Sequence, residues 1–166
     1  MAVTTDIVRT WQGPRAVMRD LLAQGKREDR AVAFLLTACL LLFIARLPLL
    51  VRVSEGVETL PGQQGAEFTQ LAAYAFFGAL MVLPLLLYGL AAVSHIVARA
   101  AGGQGSWYSA RLALFWSLLA SAPLALLYGL ARGMLGPGAP ATFTGALWLA
   151  GFALIWTLSL SEAERP

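Results

Sequence analysis

The sequence predicts an all-α fold: a polytopic membrane helical bundle with four transmembrane helices and an N-terminal amphipathic helix. Three observations point to it. Of 166 residues, 58% are hydrophobic and only 13% are charged, whereas a soluble domain carries about 25% charged residues. Apolar runs of roughly twenty residues, the length that crosses a hydrocarbon core, recur along the chain. All nine acidic residues lie outside those runs. The formal net charge of +3 is no nucleic-acid footprint, because the basic residues flank the apolar runs, where they act as topology signals.

Residues 1–30 read as a cytosolic or interfacial segment. Gly13-Pro14 punctuates it, and proline suits the first position of a helix. From Pro14 to about Gln24, the residues Val17, Met18, Leu21 and Leu22 share one side at helical spacing, with Arg15 and Arg19 elsewhere on the wheel. This pattern fits an amphipathic helix in the membrane surface, and equally a cytosolic helix capping the bundle. Ile7 and Trp11, four apart, extend the apolar face. The cluster 26–30 then ends at the bilayer.

The transmembrane domain is expected over 31–161, with spans at about 31–51, 71–97, 111–130 and 141–160, and a short cytosolic tail at 162–166. The first span covers roughly 30 Å at 1.5 Å per residue. Arg46 and Pro48 fall in its last turns, and an arginine there is expected to snorkel toward the headgroups. Residues 52–69 form an acidic, turn-rich loop with Glu55, Glu58, Glu67 and Pro61-Gly62. The second span is long enough to tilt, to kink at Pro84, or to begin as an interfacial helix. Its last turns hold the sole histidine, His95, which lacks nearby histidine or cysteine partners for a metal. The third span starts behind Trp107 and Tyr108, which match an interfacial aromatic belt. Pro123 at its middle deprives the Leu119 carbonyl of its helical donor, and Ser117 and Ser121 are placed to help. After Arg132, residues 133–140 read as a Gly/Pro-rich loop leading to the fourth span.

Cys39 is the only cysteine, so no intrachain disulfide forms. The stretch Leu36–Cys39 looks like a lipobox, but the apolar run continues past it, where a lipoprotein turns polar. No cleavable signal peptide is expected, because the first apolar run begins late. Of the twelve basic residues, nine fall on the side of the N-terminal segment, the second inter-span loop and the tail. Arg46, Arg52 and Arg132 fall on the other. Both termini are therefore expected in the cytoplasm, in the inner membrane.

The candidate interaction or packing residues form two groups. Gly89 and Gly129 belong to a repeated Leu-Leu-Tyr-Gly-Leu-Ala segment at 86–91 and 126–131, and Pro84 and Pro123 stand a few residues before each copy. Broken helices in matching positions are a feature of transporter repeats. A chain rich in Leu, Ala and Gly repeats itself readily, so chance is the simpler account. Gly89 and Gly129 are expected to let helices approach closely. The second group is Arg99, Gly102, Gly103, Gly105, Trp107, Tyr108 and Arg111, in and around the second inter-span loop. It lacks the Lys-Ser/Thr ending of a phosphate-binding loop. It reads first as a tight turn, and secondly as a contact surface for headgroups or a partner. No nucleophile with a histidine neighbour, metal spacing or cofactor motif is visible, so no enzyme and no cofactor are expected.

Val8–Pro14 with the amphipathic helix, the first span, and the run from Gly102-Gly-Gln-Gly-Ser106 through Arg111 to Ser121-Ala-Pro123 resemble the bacterial-type branch of the Yip domain family, the Ypt-interacting membrane proteins. The resemblance covers most of the chain. It departs from the better-known members, which have five spans and a long N-terminal segment with an Asp-Leu-Tyr-Gly-Pro type motif. Those relatives bind small GTPases, an expectation not carried over without that segment. What the resemblance implies is a non-enzymatic integral membrane protein with an organising or interaction role. Its expected partners are the lipid bilayer and a membrane protein or second copy, not nucleic acid. The alternative is a small transporter or channel subunit with a pathway between the second and third spans.

Overall fold

A computed structural model describes residues 3–61 and 65–165. Six helices account for it: α1 (Val3–Gln12), α2 (Pro14–Ala23), α3 (Glu28–Ser54), α4 (Phe68–Ala100), α5 (Trp107–Leu135) and α6 (Ala139–Ala163). No strand is present among the described residues. Helices α3 to α6 are each long and apolar enough to cross a membrane, so the chain has the architecture of a multi-pass membrane protein. Residues 62–64 of the acidic loop, with the expected turn at Gly62, lie outside the described residues.

Each long helix overruns the expected span. The 27 residues of α3 extend about 40 Å, enough to include the headgroup regions. Glu28 and Asp29 occupy its first turn and Arg52 its last, which complements the helix dipole. At the start of α5, the Ser106 hydroxyl accepts from the Ser109 amide at 3.2 Å, and the Ser109 hydroxyl accepts from the Ser106 amide at 2.9 Å. This reciprocal cap satisfies two donors that helix geometry leaves without partners. The helix ends at Gly136, whose φ of 78° suits glycine. Residues 133–135, expected in a loop, are its last turn.

The bundle is built around α5. Some 72% of its apolar window is buried, against 11% for α4. Helices α3 and α6 flank it, and α4 packs more loosely outside. Every side chain from Leu112 to Ala122 is buried. Trp116 packs on Phe34 of α3 at 5.0 Å between ring centroids, and Phe115 meets Tyr88 of α4 edge-on at 5.1 Å.

Small residues set the α3–α5 distance. A Cβ at Gly129 would lie 1.9 Å from the Ala45 carbonyl oxygen, and one at Gly133 would lie 2.1 Å from Pro48 Cβ. Gly129 and Gly133 thus form a Gly-x-x-x-Gly contact that brings two backbones together. Gly89 does not behave as expected: it is exposed, and a Cβ there would meet nothing within 4 Å. The two copies of the repeated segment therefore occupy unlike surroundings.

The prolines sit beside local departures from regular helix. Ahead of Pro84 a π turn occupies Gly78–Val82, closed by the Leu83 amide donating to the Gly78 carbonyl. A proline removes the donor for the carbonyl four residues earlier, here Leu80, which lies inside that wider turn. Near Pro123, Ser121 donates to the Leu118 carbonyl at 3.0 Å and Ser117 to the Ala113 carbonyl at 2.6 Å. Neither serves Leu119 directly. The Trp11 indole donates to the neighbouring Ala120 carbonyl at 3.1 Å.

That bond reveals what the N-terminal segment does. Helices α1 and α2 turn at Gly13 and lie against α5 and α6. Val17, Met18 and Leu21 join the main core, so the apolar face of α2 is covered by protein. That face is therefore turned to the bundle. Ala120 lies thirteen residues into α5, about 20 Å along its axis, so the Trp11 side chain reaches well down the bundle. Thr10 is fully buried, accepts from the Trp116 indole at 3.1 Å and donates to the Asp6 carbonyl at 2.7 Å. Arg9 ties the two short helices together, bonding Asp6 at 3.1 Å and Asp20 at 3.0 Å.

Candidate functional site

The ends of α4 and α6 and the starts of α3 and α5 meet at one end of the bundle, around the glycine loop. Gly102 has a φ of 95° and turns the chain, as an inter-helix turn requires. Gly103 and Gly105 are required for a different reason. A Cβ at Gly103 would lie 2.8 Å from Glu164 Oε2, and one at Gly105 would lie 2.5 Å from the Ala163 carbonyl oxygen. The loop is pressed against the end of α6.

Glu164 is the centre of this end. Its carboxylate accepts from the Gly105 amide at 3.0 Å and lies 2.9 Å from Nδ1 of His95. Its backbone carbonyl accepts from the Gln104 amide at 2.9 Å. His95 is 1% exposed, its ring sits 4.6 Å from that of Trp107, and its Nε2 has no hydrogen-bond partner among the described residues. Two residues earlier, Glu162 binds Arg19 of α2 at 2.8 Å and Arg165 at 2.9 Å. The carboxylate partner is what lifts the pKa of Arg19 above its ordinary value. The tail, read from sequence as a short polar end, is a clasp joining α2, α4, α6 and the loop.

The expected loop residues divide accordingly. Tyr108 is buried, and its hydroxyl donates to the Arg27 carbonyl at 3.3 Å. Arg111 donates to Glu28 at 2.6 Å and lies 5.8 Å from the centroid of Tyr88. Trp107 is 53% exposed, and Arg99 is exposed as well. Arg111 and Tyr108 therefore serve the joint between α3, α4 and α5. Trp107 and Arg99 are what this loop offers to the outside. Pro84 and Pro123 do not meet at a common site. Each borders its own helix, with Pro123 exposed.

At the opposite end, Glu58 grips both guanidinium groups of the neighbouring helices. Arg132 makes two hydrogen bonds to it, one of 2.7 Å to Oε2 and one to Oε1, and Arg52 lies 3.7 Å away. The hydrogen bonds from Arg132 hold the Glu58 carboxyl below the usual carboxylate range.

Arg46 stands between the two ends. It is exposed on α3 and makes no hydrogen bond or ion pair among the described residues. An arginine placed at the centre of a membrane helix costs about 2.5–3.5 kcal/mol to insert. It borders a cavity of about 390 Å³ between α3 and α4 and another of about 450 Å³ between α3 and α5.

No protein-family model, curated protein or solved structure matches the chain.

The His95–Glu164 pair has hydroxyls near it in sequence, but Ser94 donates to the Leu90 carbonyl at 2.5 Å and Ser109 to the Ser106 carbonyl at 2.8 Å. Among the described residues no group of three or more His, Cys, Asp or Glu could hold a metal ion. Sequence reasoning missed Glu162, Glu164 and Gly133. Only Gly133 left a local signal, its four-residue spacing from Gly129.

Proposed function

We propose that this chain is a non-enzymatic integral membrane protein of the Yip type, in the inner membrane with both termini in the cytoplasm, that organises a membrane assembly by binding a membrane partner. The observation that carries this reading is the contrast between α5 and α4. The interior around α5 is filled with side chains, and α4 leaves most of its length outside the bundle. Its uncovered side includes Tyr74, Phe77, Met81, Leu85, Val93 and Val97, each at least 57% exposed. The nine-to-three distribution of basic residues supports the orientation.

The transporter reading keeps one specific support, the cavities beside Arg46. Of Pro84, Tyr88, Pro123 and Tyr128, only Tyr128 borders either of these cavities. A pathway between the second and third spans would pass all four.

The test is crosslinking in the native membrane from photoreactive residues at positions 77 and 93 of α4. A defined membrane-protein partner, or a second copy, is the expected product. Absence of any protein adduct, together with solute or ion flux in liposomes that Arg46→Ala abolishes, would replace this reading with transport.

A further inference from the structure

We propose that the flank of the bundle around Arg46 is a lipid site, which holds one anionic phospholipid by its phosphate. The inference goes beyond the partner-binding reading and does not rest on it. Arg46 lies eight residues before Ser54, about 12 Å of helix from the end of α3. Its charge is not matched within the chain. All nine acidic residues lie outside the long apolar runs; at that end Glu58 is occupied by Arg132 and Arg52, and neither Glu55 nor Glu67 makes an ion pair with Arg46. A second copy brings no carboxylate to this depth either.

The shape of the site selects the occupant. Two clefts meet at Arg46. One runs between Phe43 and Leu50 of α3 and Leu71 and Val82 of α4; the other runs past Leu49 toward Tyr128 and Trp148. The π turn lines the first, with Gly78 and Ala79 in its wall. It reaches the surface beside Tyr74 and Leu86, which are 66% and 63% exposed. A helix about 10 Å across takes roughly 400 Å³ for each turn, so clefts of about 390 and 450 Å³ hold little more than one turn each. An acyl chain fits them, and it would enter sideways from the hydrocarbon. The guanidinium matches a phosphate with paired donors, and its flexible stem lets it rise toward the headgroup level. A single net negative charge on the lipid balances the one unmatched cation within the long apolar runs.

The test uses the full chain purified in mild detergent and mixed with equal phosphatidylglycerol and phosphatidylcholine, with bound lipid read by native mass spectrometry. Wild type is expected to retain one phosphatidylglycerol in preference to phosphatidylcholine. Arg46→Ala is expected to weaken that retention about tenfold or more, Arg46→Lys to keep most of it, and Arg99→Ala to leave it unchanged. Helix content and monodispersity of each variant separate loss of the site from loss of the fold, and Arg46→Gln replaces Arg46→Ala if the latter does not fold. Equal retention of the two lipids would overturn the proposal. So would unchanged retention in both neutral variants, displacement of the lipid by millimolar inorganic phosphate, or a photocrosslink from position 46 to a polypeptide in place of a lipid.

Discussion

Replacing Gly129 with alanine is the sharpest single perturbation of this bundle. The added methyl carbon would sit 1.9 Å from the Ala45 carbonyl oxygen, 2.6 Å from its carbonyl carbon and 2.9 Å from its Cα. Ordinary contact begins near 3.4 Å, so α3 and α5 must part by about 1.5 Å locally. The obstacle is backbone, which cannot rotate away as a side chain would. Parting there also lifts Gly133 from Pro48, the second close contact on the same helix face. Overpacking of a filled interior costs about 1–3 kcal/mol, and an unyielding neighbour places Gly129→Ala at the upper end of that range. Gly89→Ala is the matched control. It adds the same methyl group to the other copy of the repeated segment, where nothing lies within 4 Å. Relieved of glycine's backbone entropy, it should be neutral or more stable by up to about 1 kcal/mol. The assay is unfolding in mixed detergent micelles, followed by helix content and tryptophan fluorescence. A Gly129→Ala protein as stable as wild type, or a Gly89→Ala protein that loses as much, would refute the backbone-contact account of the α3–α5 interface.

Three further outcomes follow from the polar contacts. Glu58 has its pKa depressed by Arg132, so its stabilising contribution is complete above the ordinary carboxylate pKa of about 4.3. That contribution disappears as pH falls through the lower folded value. Glu58→Gln should cost about 1–2 kcal/mol at neutral pH and remove this acid-sensitive component. Parallel acid unfolding curves for the variant and wild type would count against it. Thr10→Val strands the buried Trp116 indole donor, a loss of about 1–3 kcal/mol, visible as a changed tryptophan emission and an earlier thermal transition. Glu164→Ala removes the acceptor for the Gly105 amide and for His95. Hydrogen exchange at residues 103–106 should then rise while exchange in the middle of α5 stays put; uniform protection across the loop would show the clasp to be dispensable.

How much of this was legible in the sequence depends on whether the signal was local. The four long helices were, because a run of about twenty apolar residues has few alternatives in a chain with so few charges. Their ends were not, since Arg132 looked like a boundary although its guanidinium reaches Glu58 from inside the last turns of α5. That misplacement hid Gly133, and with it the Gly-x-x-x-Gly contact, by assigning it to a loop. The proline effects were legible in kind but displaced in position, because the missing donor is felt one turn earlier, at Leu80. The amphipathic pattern of α2 states which face avoids water; it does not state whether lipid or protein covers that face. Glu164 carries no local signal at all, since its partners His95 and Gly105 lie 69 and 59 positions away.

Several carboxylates of the fold share one role, and within the long apolar runs Arg46 stands outside it. At the loop end, Glu28, Glu162 and Glu164 each engage a cation, an imidazole or a backbone donor contributed by a different element. At the far end, Glu58 alone gathers Arg52 and Arg132. Carboxylates thus fix the register of helices whose apolar surfaces, all equally greasy, give little reason to stop sliding past one another. Burial of such pairs adds little net stability, because the charges must first lose water; their value is in choosing one arrangement. Arg46 has no such role, since it joins nothing to nothing. An ionised group that neither registers a helix nor reaches the chain's own acids still carries its insertion cost, which snorkelling lowers and an anion from outside the chain would offset further. The clefts on either side of it define what that anion must be attached to.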